Sequence, residues 1–413
     1  MNLHPAMRGL LSGLALVGAA LLAGCAQQAV KLSEELPFEE AVSKATDGLV
    51  AQTQKVPGFL ANVGAVVGSV VDKAQSKIGK RGVALDPMID AISGQQTAAT
   101  QLLERRVTER MVAKFESVEI LPFQTASLAK AQYLLTGTLV RIKSGAGVQG
   151  RSPLQINLAL TDLKTGTVVA QASAVARDEG IDHTPLRYYQ DSPVLVKDKV
   201  VEGYVRTSAT APGQASDSVY FERIGVATVI AEANAAYNAE RYQDALVKYR
   251  AAGAMTGGDQ LRTLNGIYLV HTRMGRTAEA ESAFGNIVAY GIRNSQLDLK
   301  FLFNPGSVVF WSDPKISGAY GMWLRQIAKE GASAKVCMNI IGHTSRTGGE
   351  GANDALSLQR AGAILQKLNA ETGGVSLRAK AVGMGFRENI IGSGSDNAVD
   401  ALDRRVEFKI VGC

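Results

Sequence analysis

The chain has 413 residues, enough for about two to four domains of ~100–200 residues each. Hydrophobic residues make up 46% and charged residues 20%, which argues against a disordered, collagenous or multi-pass membrane chain. Forty-four Lys and Arg against 38 Asp and Glu give a net charge of +6, and no basic run clusters strongly enough for a protein built mainly to bind nucleic acid. The three cysteines, Cys25, Cys337 and Cys413, form no C-x-x-C pair, and the histidines number only four. A structural zinc site is therefore not expected, and no cofactor is implied.

Met1 to Gly24 reads as a signal peptide: Arg8 supplies the positive start, and Leu10 to Leu22 is an apolar stretch too short for a spanning helix. Leu22-Ala23-Gly24-Cys25 follows. It resembles the bacterial lipobox, which implies that the Cys25 thiol is lipid-modified, palmitate included, and becomes the first mature residue. Ala26 in place of Asp implies, by the same resemblance, sorting to the outer membrane, facing the periplasm. Three acyl chains would anchor firmly, at about 0.8 kcal/mol per buried methylene. In that oxidising compartment the two remaining cysteines read as one disulfide, Cys337 to Cys413.

A tether over 25–36 leads into an α+β domain over 37–207. Glu39 to Gln54 has helical spacing, with Ala41, Ala45, Leu49 and Val50 on one face. Phe59 to Val71 is a small, Gly-rich apolar run, too short to span a bilayer. It reads as a buried or loosely amphipathic segment, with contact to a membrane surface as the alternative. Gln95 to Phe115 is a second helix, and Val118 to Leu121 a strand ended by Pro122. Tyr133 to Ile142 is a longer strand, and Ile156 to Asp162 with Thr167 to Ala174 a hairpin around Lys164-Thr165-Gly166. Helices preceding antiparallel strands are expected. The Gly145 to Gly150 stretch matches G-x-G-x-x-G, but Arg151-Ser152-Pro153 and a strand follow instead of a helix, so it reads as a loop. The Tyr133-to-Leu139 and Leu158-to-Ala170 segments, with Gly137-Thr138 and Asp162-Leu163-Lys164-Thr165-Gly166, resemble the periplasmic lipoprotein fold of curli-secretion channel subunits and penicillin-binding-protein activators.

Residues 208–222, rich in Ala, Thr, Ser, Gly and Pro, read as a linker. Residues 223–293 are helical, and Tyr242, Ala245 and Tyr249 recur thirty-five positions later as Thr277, Ala280 and Phe284. The pattern is similar to tetratricopeptide repeats, whose period is about 34. Two copies are fewer than a free solenoid needs, so neighbouring domains must cover the ends. The repeats are one surface for envelope protein partners.

The segment 300–413 carries most of the functional signal. Val308 to Phe310 suits a strand, Tyr320 to Ala328 a helix and Lys335 to Gly342 a strand. A long helix should begin near Asn353 as N-cap, with Leu358, Ala361, Leu365 and Leu368 as its apolar stripe. Strands over Leu377 to Val382 and Arg404 to Val411 complete a β-α-β-α-β-β order with helices on one face. Within this frame Gly342-His343-Thr344, Asn353, Leu356-Ser357, Arg360-Ala361, Gly383-Met384-Gly385 and Arg404-Arg405-Val406-Glu407 occur in order. They identify a region similar to the OmpA-like peptidoglycan-binding domain. The resemblance implies recognition of the diaminopimelate side chain of stem peptides, with Arg360 pairing the carboxylate and Thr344 and Asn353 in the binding motif. A guanidinium fork suits that planar group. The family's Asp, which takes the ammonium, is replaced here by Ser345, with Asp354 a possible substitute charge. His343 reads as a structural hydrogen-bonding residue. Arg404 and Arg405 read as holding the acidic loop of Asp396, Asp400 and Asp403. The strands bearing Cys337 and Cys413 are close in the family, which favours the disulfide.

Two functions compete. One is an outer-membrane lipoprotein that grips peptidoglycan and presents protein-interaction domains. The other is a lipoprotein docking an envelope synthase or secretion assembly, its wall site weakened or lost through Ser345. No G-x-S-x-G, H-E-x-x-H or available Cys nucleophile supports an enzyme.

Overall fold

A computed structural model of the chain describes residues 35–53, 80–114, 118–142, 152–372, 378–390 and 403–413. Cys25, the apolar run Phe59 to Val71 and the glycine-rich Gly145 to Gly150 lie outside them. Among the described residues no helix is long and apolar enough to cross a membrane. Helices and strands are mixed along the chain, as an α+β protein requires.

Helix α1 (Phe38–Thr53) buries Phe38, Ala41, Val42, Ala45 and Leu49, the i, i+3, i+4, i+7 stripe of an amphipathic helix. Strand β1 (Arg81–Leu85), the two-residue β2 (Ile89–Asp90), helix α2 (Ala98–Lys114), β3 (Val118–Pro122), the turn α3 (Thr125–Leu128), β4 (Tyr133–Arg141), β5 (Leu154–Asp162) and β6 (Val168–Ala176) follow. The sheet order is β3-β1-β4-β5-β6, with β2 also on β4. β1 runs parallel to β3 and β4, whereas β4-β5-β6 is antiparallel. The sheet is thus mixed, not the antiparallel set expected. α1 lies on β5 and β6 and beside α2. Arg106–Glu39 at 2.8 Å and Arg110–Asp47 at 2.5 Å tie the two helices.

The expected hairpin turn has a clear cause. Asp162 Oδ1 accepts from the Lys164 and Thr165 N–H groups, and Gly166 takes φ +70°. Another relationship was not foreseen. β1 pairs with β4 as far as Leu135 and β2 only from Thr138, so Gly137 faces a gap between them. The Tyr204 hydroxyl fills it, accepting from Gly137 N at 2.9 Å and donating to Gly137 O at 3.1 Å.

Tyr204 belongs to α5 (Lys199–Ser208), which follows the short α4 (Arg187–Asp191). The segment read as a linker is instead pinned to the β5–β6 hairpin. Val168 N donates to Gln214 O and Ser216 N to Gly166 O, before α6 (Ser218–Phe221) begins. Gly, Ser and Pro content signals turns, but it does not tell whether the backbone of those turns is free.

Two helical hairpins come next: α7 (Ile224–Asn238) with α8 (Tyr242–Ala254), and α9 (Leu261–Arg273) with α10 (Thr277–Asn294). The thirty-five-residue offset is structural. Tyr242 and Thr277 each open a helix, and Ala245, Tyr249, Ala280 and Phe284 are all buried. Glu240 and Gly275, at the same offset, both take left-handed φ in the turns. Asp198 caps α5 through Val200 N and Val201 N, and its other oxygen accepts from Leu261 N at the start of α9. The α+β part and the hairpins are therefore bonded to one another.

The C-terminal part comprises β7 (Leu297–Leu299), α11 (Pro314–Ser317), α12 (Tyr320–Ala334), β8 (Cys337–Gly342), α13 (Glu350–Glu371), β9 (Arg378–Gly383) and β10 (Val406–Val411). The sheet order is β7-β10-β8-β9, antiparallel except for β8-β9. The first strand is Leu297–Leu299, not Val308 to Phe310. Leu-Asp-Leu alternates to bury both leucines against β10, whereas Val308 and Val309 are exposed and Phe310 makes one isolated bridge, to Phe303. α12 and α13 pack together, and α13 covers β8 and β9. A disulfide joins Cys337 on β8 to Cys413 beyond β10, with Cα atoms 5.2 Å apart.

Candidate functional site: a cavity at the start of the long C-terminal helix

The site is built by close approach of α13 to the ends of β8 and β9. Gly342 and Gly383 are register partners there. A Cβ on Gly342 would lie 2.0 Å from Ser357 O, and one on Gly383 2.7 Å from Ser357 Oγ. Only glycine lets the helix sit so low on the sheet. The chain beyond β8 is then fixed by backbone bonds: His343 N to Arg405 O, Thr344 N to Gly385 O, and Met384 N to Gly342 O. Gly385, at φ +56°, donates its N–H to Ser357 Oγ at 2.9 Å.

A cavity of about 300 Å³ opens above this junction. Thr344, Ser345, Asn353 and Arg360 all line it, together with Pro305, Gly306 and Arg404. Helix α13 starts one turn before Asn353, with Gly349 as its cap. Asn353 is therefore not the N-cap. Its side-chain amide donates to Thr347 O at 3.0 Å and Gly349 O at 3.2 Å, holding the loop that carries Ser345 against the helix.

Arg360 is fully buried, and its guanidinium shapes the wall. Nε donates to Ser307 O at 3.1 Å and Nη2 to Asn304 O at 3.2 Å, and Cζ stands 5.0 Å from the Phe303 ring centroid. The Asn304-to-Ser307 turn is thus fastened to α13. No sequence signal beyond the Asn-Pro-Gly-Ser turn chemistry pointed to that wall. Arg404, expected only to hold a loop, also lines the cavity and lies 5.8 Å from the Trp311 ring centroid. Asp396 and Asp400 lie outside the described residues, while Asp403 accepts from Ile390 N and Asn389.

Asp354 does not supply the charge missing at Ser345. It pairs with Arg387 at 2.8 Å and is not among the described residues lining the cavity. No acid occurs among those residues. His343 is buried beneath the site, Nε2 3.4 Å from Glu407 Oε1. Burial works against the Glu407 charge, but the neighbouring His343 and the Arg405 guanidinium outweigh it and hold the carboxyl at about 2. His343, Glu388 and Glu407 bring possible ligand atoms within 4.8 Å of one another, yet Arg405 Nε already bonds Glu407 at 2.6 Å. Glu407 is thus committed to Arg405 under the site.

Comparison with known proteins gives the family of the C-terminal part. Residues 302–401 match the model of the OmpA family. Among solved structures, the chain is similar to the peptidoglycan-associated lipoprotein from Burkholderia pseudomallei, with 25% identity over 27% of this chain and 88% of that one, at a TM-score of 0.23. It is also similar to protein XCC0632 from Xanthomonas campestris, with 14% identity over 41% of this chain and 95% of that one, at a TM-score of 0.18. No curated protein matches the chain significantly. The C-terminal part of this chain, residues 302–401, is an OmpA-like domain.

Proposed function

We propose that this protein is an outer-membrane lipoprotein that holds peptidoglycan non-covalently through its OmpA-like domain, with acyl chains on Cys25 as the membrane anchor. One observation carries the wall-binding part. Thr344, Ser345, Asn353 and Arg360, picked out separately in the sequence, line a single cavity. The ligand is the diaminopimelate side chain of a stem peptide, a zwitterion. The carboxylate end is drawn to the guanidinium side of the cavity, where Arg360 and Arg404 lie. The ammonium meets the Ser345 hydroxyl, a neutral acceptor. Charge-assisted hydrogen bonds contribute roughly 1.5–3 kcal/mol and neutral ones about 1, so this end is held less tightly than an Asp would hold it. The task is recognition, with no bond made or broken.

The test is sedimentation of the whole mature chain with purified diaminopimelate-type peptidoglycan. Wild type should co-sediment, and Ser345→Asp should bind about tenfold more tightly, at ~1.4 kcal/mol per decade. Failure of both proteins to bind would sink the reading. A second reading, a docking lipoprotein whose wall site has lapsed, is favoured by the engagement of Arg360 with backbone carbonyls. It predicts binding by Ser345→Asp alone. The helical hairpins are, in both readings, the surface offered to envelope protein partners.

A further inference from the structure

A second cavity, of about 390 Å³, lies between α4, α7 and α9 on one side and α11 and α12 of the OmpA-like domain on the other. That volume falls in the ~300–1,000 Å³ range of small-ligand sites. Its lining carries three cations, Arg273, Lys300 and Lys315, and one acid, Asp191. Asp191 is already committed: Arg273 Nη2 pairs with it at 2.5 Å, and the Tyr237 hydroxyl donates to it at 2.6 Å. Lys300 and Lys315 pair with no carboxylate among the described residues.

Lys300 is the unusual group. It is 8% exposed, and among the described residues its Nζ makes one hydrogen bond, to Tyr189 O at 2.8 Å. Burial pushes its amine down to about 7. A buried ammonium is costly when its counter-charge is weak, and here the nearby Asp191 charge only partly offsets the burial. A bound carboxylate would supply both the charge and the acceptors. The rest of the wall is apolar or already satisfied. Trp323 Nε1 donates to the Tyr268 hydroxyl at 2.9 Å, so the indole N–H is used, and Leu302 and Ile316 line the cavity with these rings.

We propose that this cavity binds a small carboxylate carrying an aromatic or branched aliphatic group. Lys300 and Lys315 take the carboxylate, and Tyr268 and Trp323 take the apolar body. Such a ligand is either a free organic acid or the C-terminal residue of a peptide. The site is separate from the wall-binding cavity and does not depend on it.

The experiment is calorimetric titration of the whole chain with N-acetylphenylalanine, its amide, and an acetylated tripeptide ending in the same residue. The acid should saturate one site, and the amide should bind about tenfold more weakly or worse, having lost a charge-assisted bond. Lys300→Met and Lys315→Met should each weaken the acid by about tenfold and leave the amide unchanged. Lys315 is exposed, so its variant keeps the test sound if Lys300→Met disturbs the fold. A tripeptide much tighter than the single residue identifies a peptide end as the source; equal affinities identify a free acid. Equal binding of acid and amide, no binding of acid or tripeptide at millimolar concentration, or indifference to Lys315→Met would overturn the proposal.

Discussion

Gly342 of β8 and Gly383 of β9 are register partners, and both lie under Ser357 of α13. The pair sets how close the helix comes to the sheet, and hence the depth of the cavity lined by Thr344, Ser345 and Arg360. A methyl group at 342 would meet a backbone carbonyl, which cannot swing aside as a flexible side chain can. Gly342→Ala should therefore cost about 1–3 kcal/mol or more in denaturant unfolding and should weaken peptidoglycan binding as the helix is displaced. An alanine variant with unchanged stability and binding would show that the close approach is not what shapes the site.

The disulfide closes the C-terminal sheet from behind. Cys337 and Cys413 are separated by 76 positions, a long loop whose closure removes much freedom from the unfolded chain. A chain-entropy treatment puts the stabilisation at about 4 kcal/mol. Cys413 is exposed and Cys337 half-buried, so a mild reductant should reach the bond. Reduction is expected to lower the urea midpoint, and Cys337→Ser should reproduce that drop and show no further response to reductant. A midpoint indifferent to reductant would remove the disulfide from the stability account.

How much of this was legible in the sequence depended on the kind of signal. The OmpA-like frame could be read because its motifs are glycines, small polar residues and charged groups whose spacing is set by a tight helix-on-sheet contact. Thr344, Ser345, Asn353 and Arg360 accordingly fell into one cavity. What could not be read was which partner each group would choose. Asn353 looked like a helix cap and instead braces a loop, and Asp354 looked like a spare charge and instead pairs with Arg387. Val308 and Val309 have strand-forming side chains but no strand to pair with, because Leu297–Leu299 takes the edge of β10. β1, five residues with a glycine among them, shows no alternation, and its place between β3 and β4 comes from long-range pairing.

Asp86 is buried between the α+β part and the helices, and the Tyr220 hydroxyl donates to its Oδ2 at 2.5 Å. Burial raises its carboxyl to about 7, against the opposing pull of Tyr220 and Arg262. Between about pH 4 and pH 7 the unfolded chain loses this proton while the folded chain keeps it, so stability falls as pH rises through that window. The loss reaches roughly 4 kcal/mol, at about 1.36 kcal/mol per pH unit. Asp86→Asn keeps an acceptor for Tyr220 and removes the proton. It should match wild type near pH 4 and exceed it at pH 8, as read from urea midpoints at the two values. Glu104 is also raised to about 7, chiefly by burial and in part by the Asp86 charge, so its own slope persists in the variant but starts lower. A difference of the same size at both pH values would contradict the assignment.

Lys300 carries the opposite linkage. Its folded-state value of about 7 lies below the ordinary 10.5, so the unfolded chain holds the proton over a range where the folded chain releases it. Stability from this residue is lowest below pH 7 and recovers as pH climbs from about 7 to about 10.5. Replacing the amine by an apolar side chain of similar length removes the burial cost. Lys300→Met should raise stability near neutral pH by about 2–4 kcal/mol, even as it weakens carboxylate binding in the second cavity. A lysine that costs stability where it sits is the pattern of a binding residue, since a group placed for packing alone would lose stability on the same replacement. Urea unfolding of both proteins at pH 7 and pH 10 distinguishes the two roles. A stabilising effect at pH 7 that shrinks by pH 10 supports the buried, unpaired amine, and a destabilising effect at both values would make Lys300 a packing residue after all.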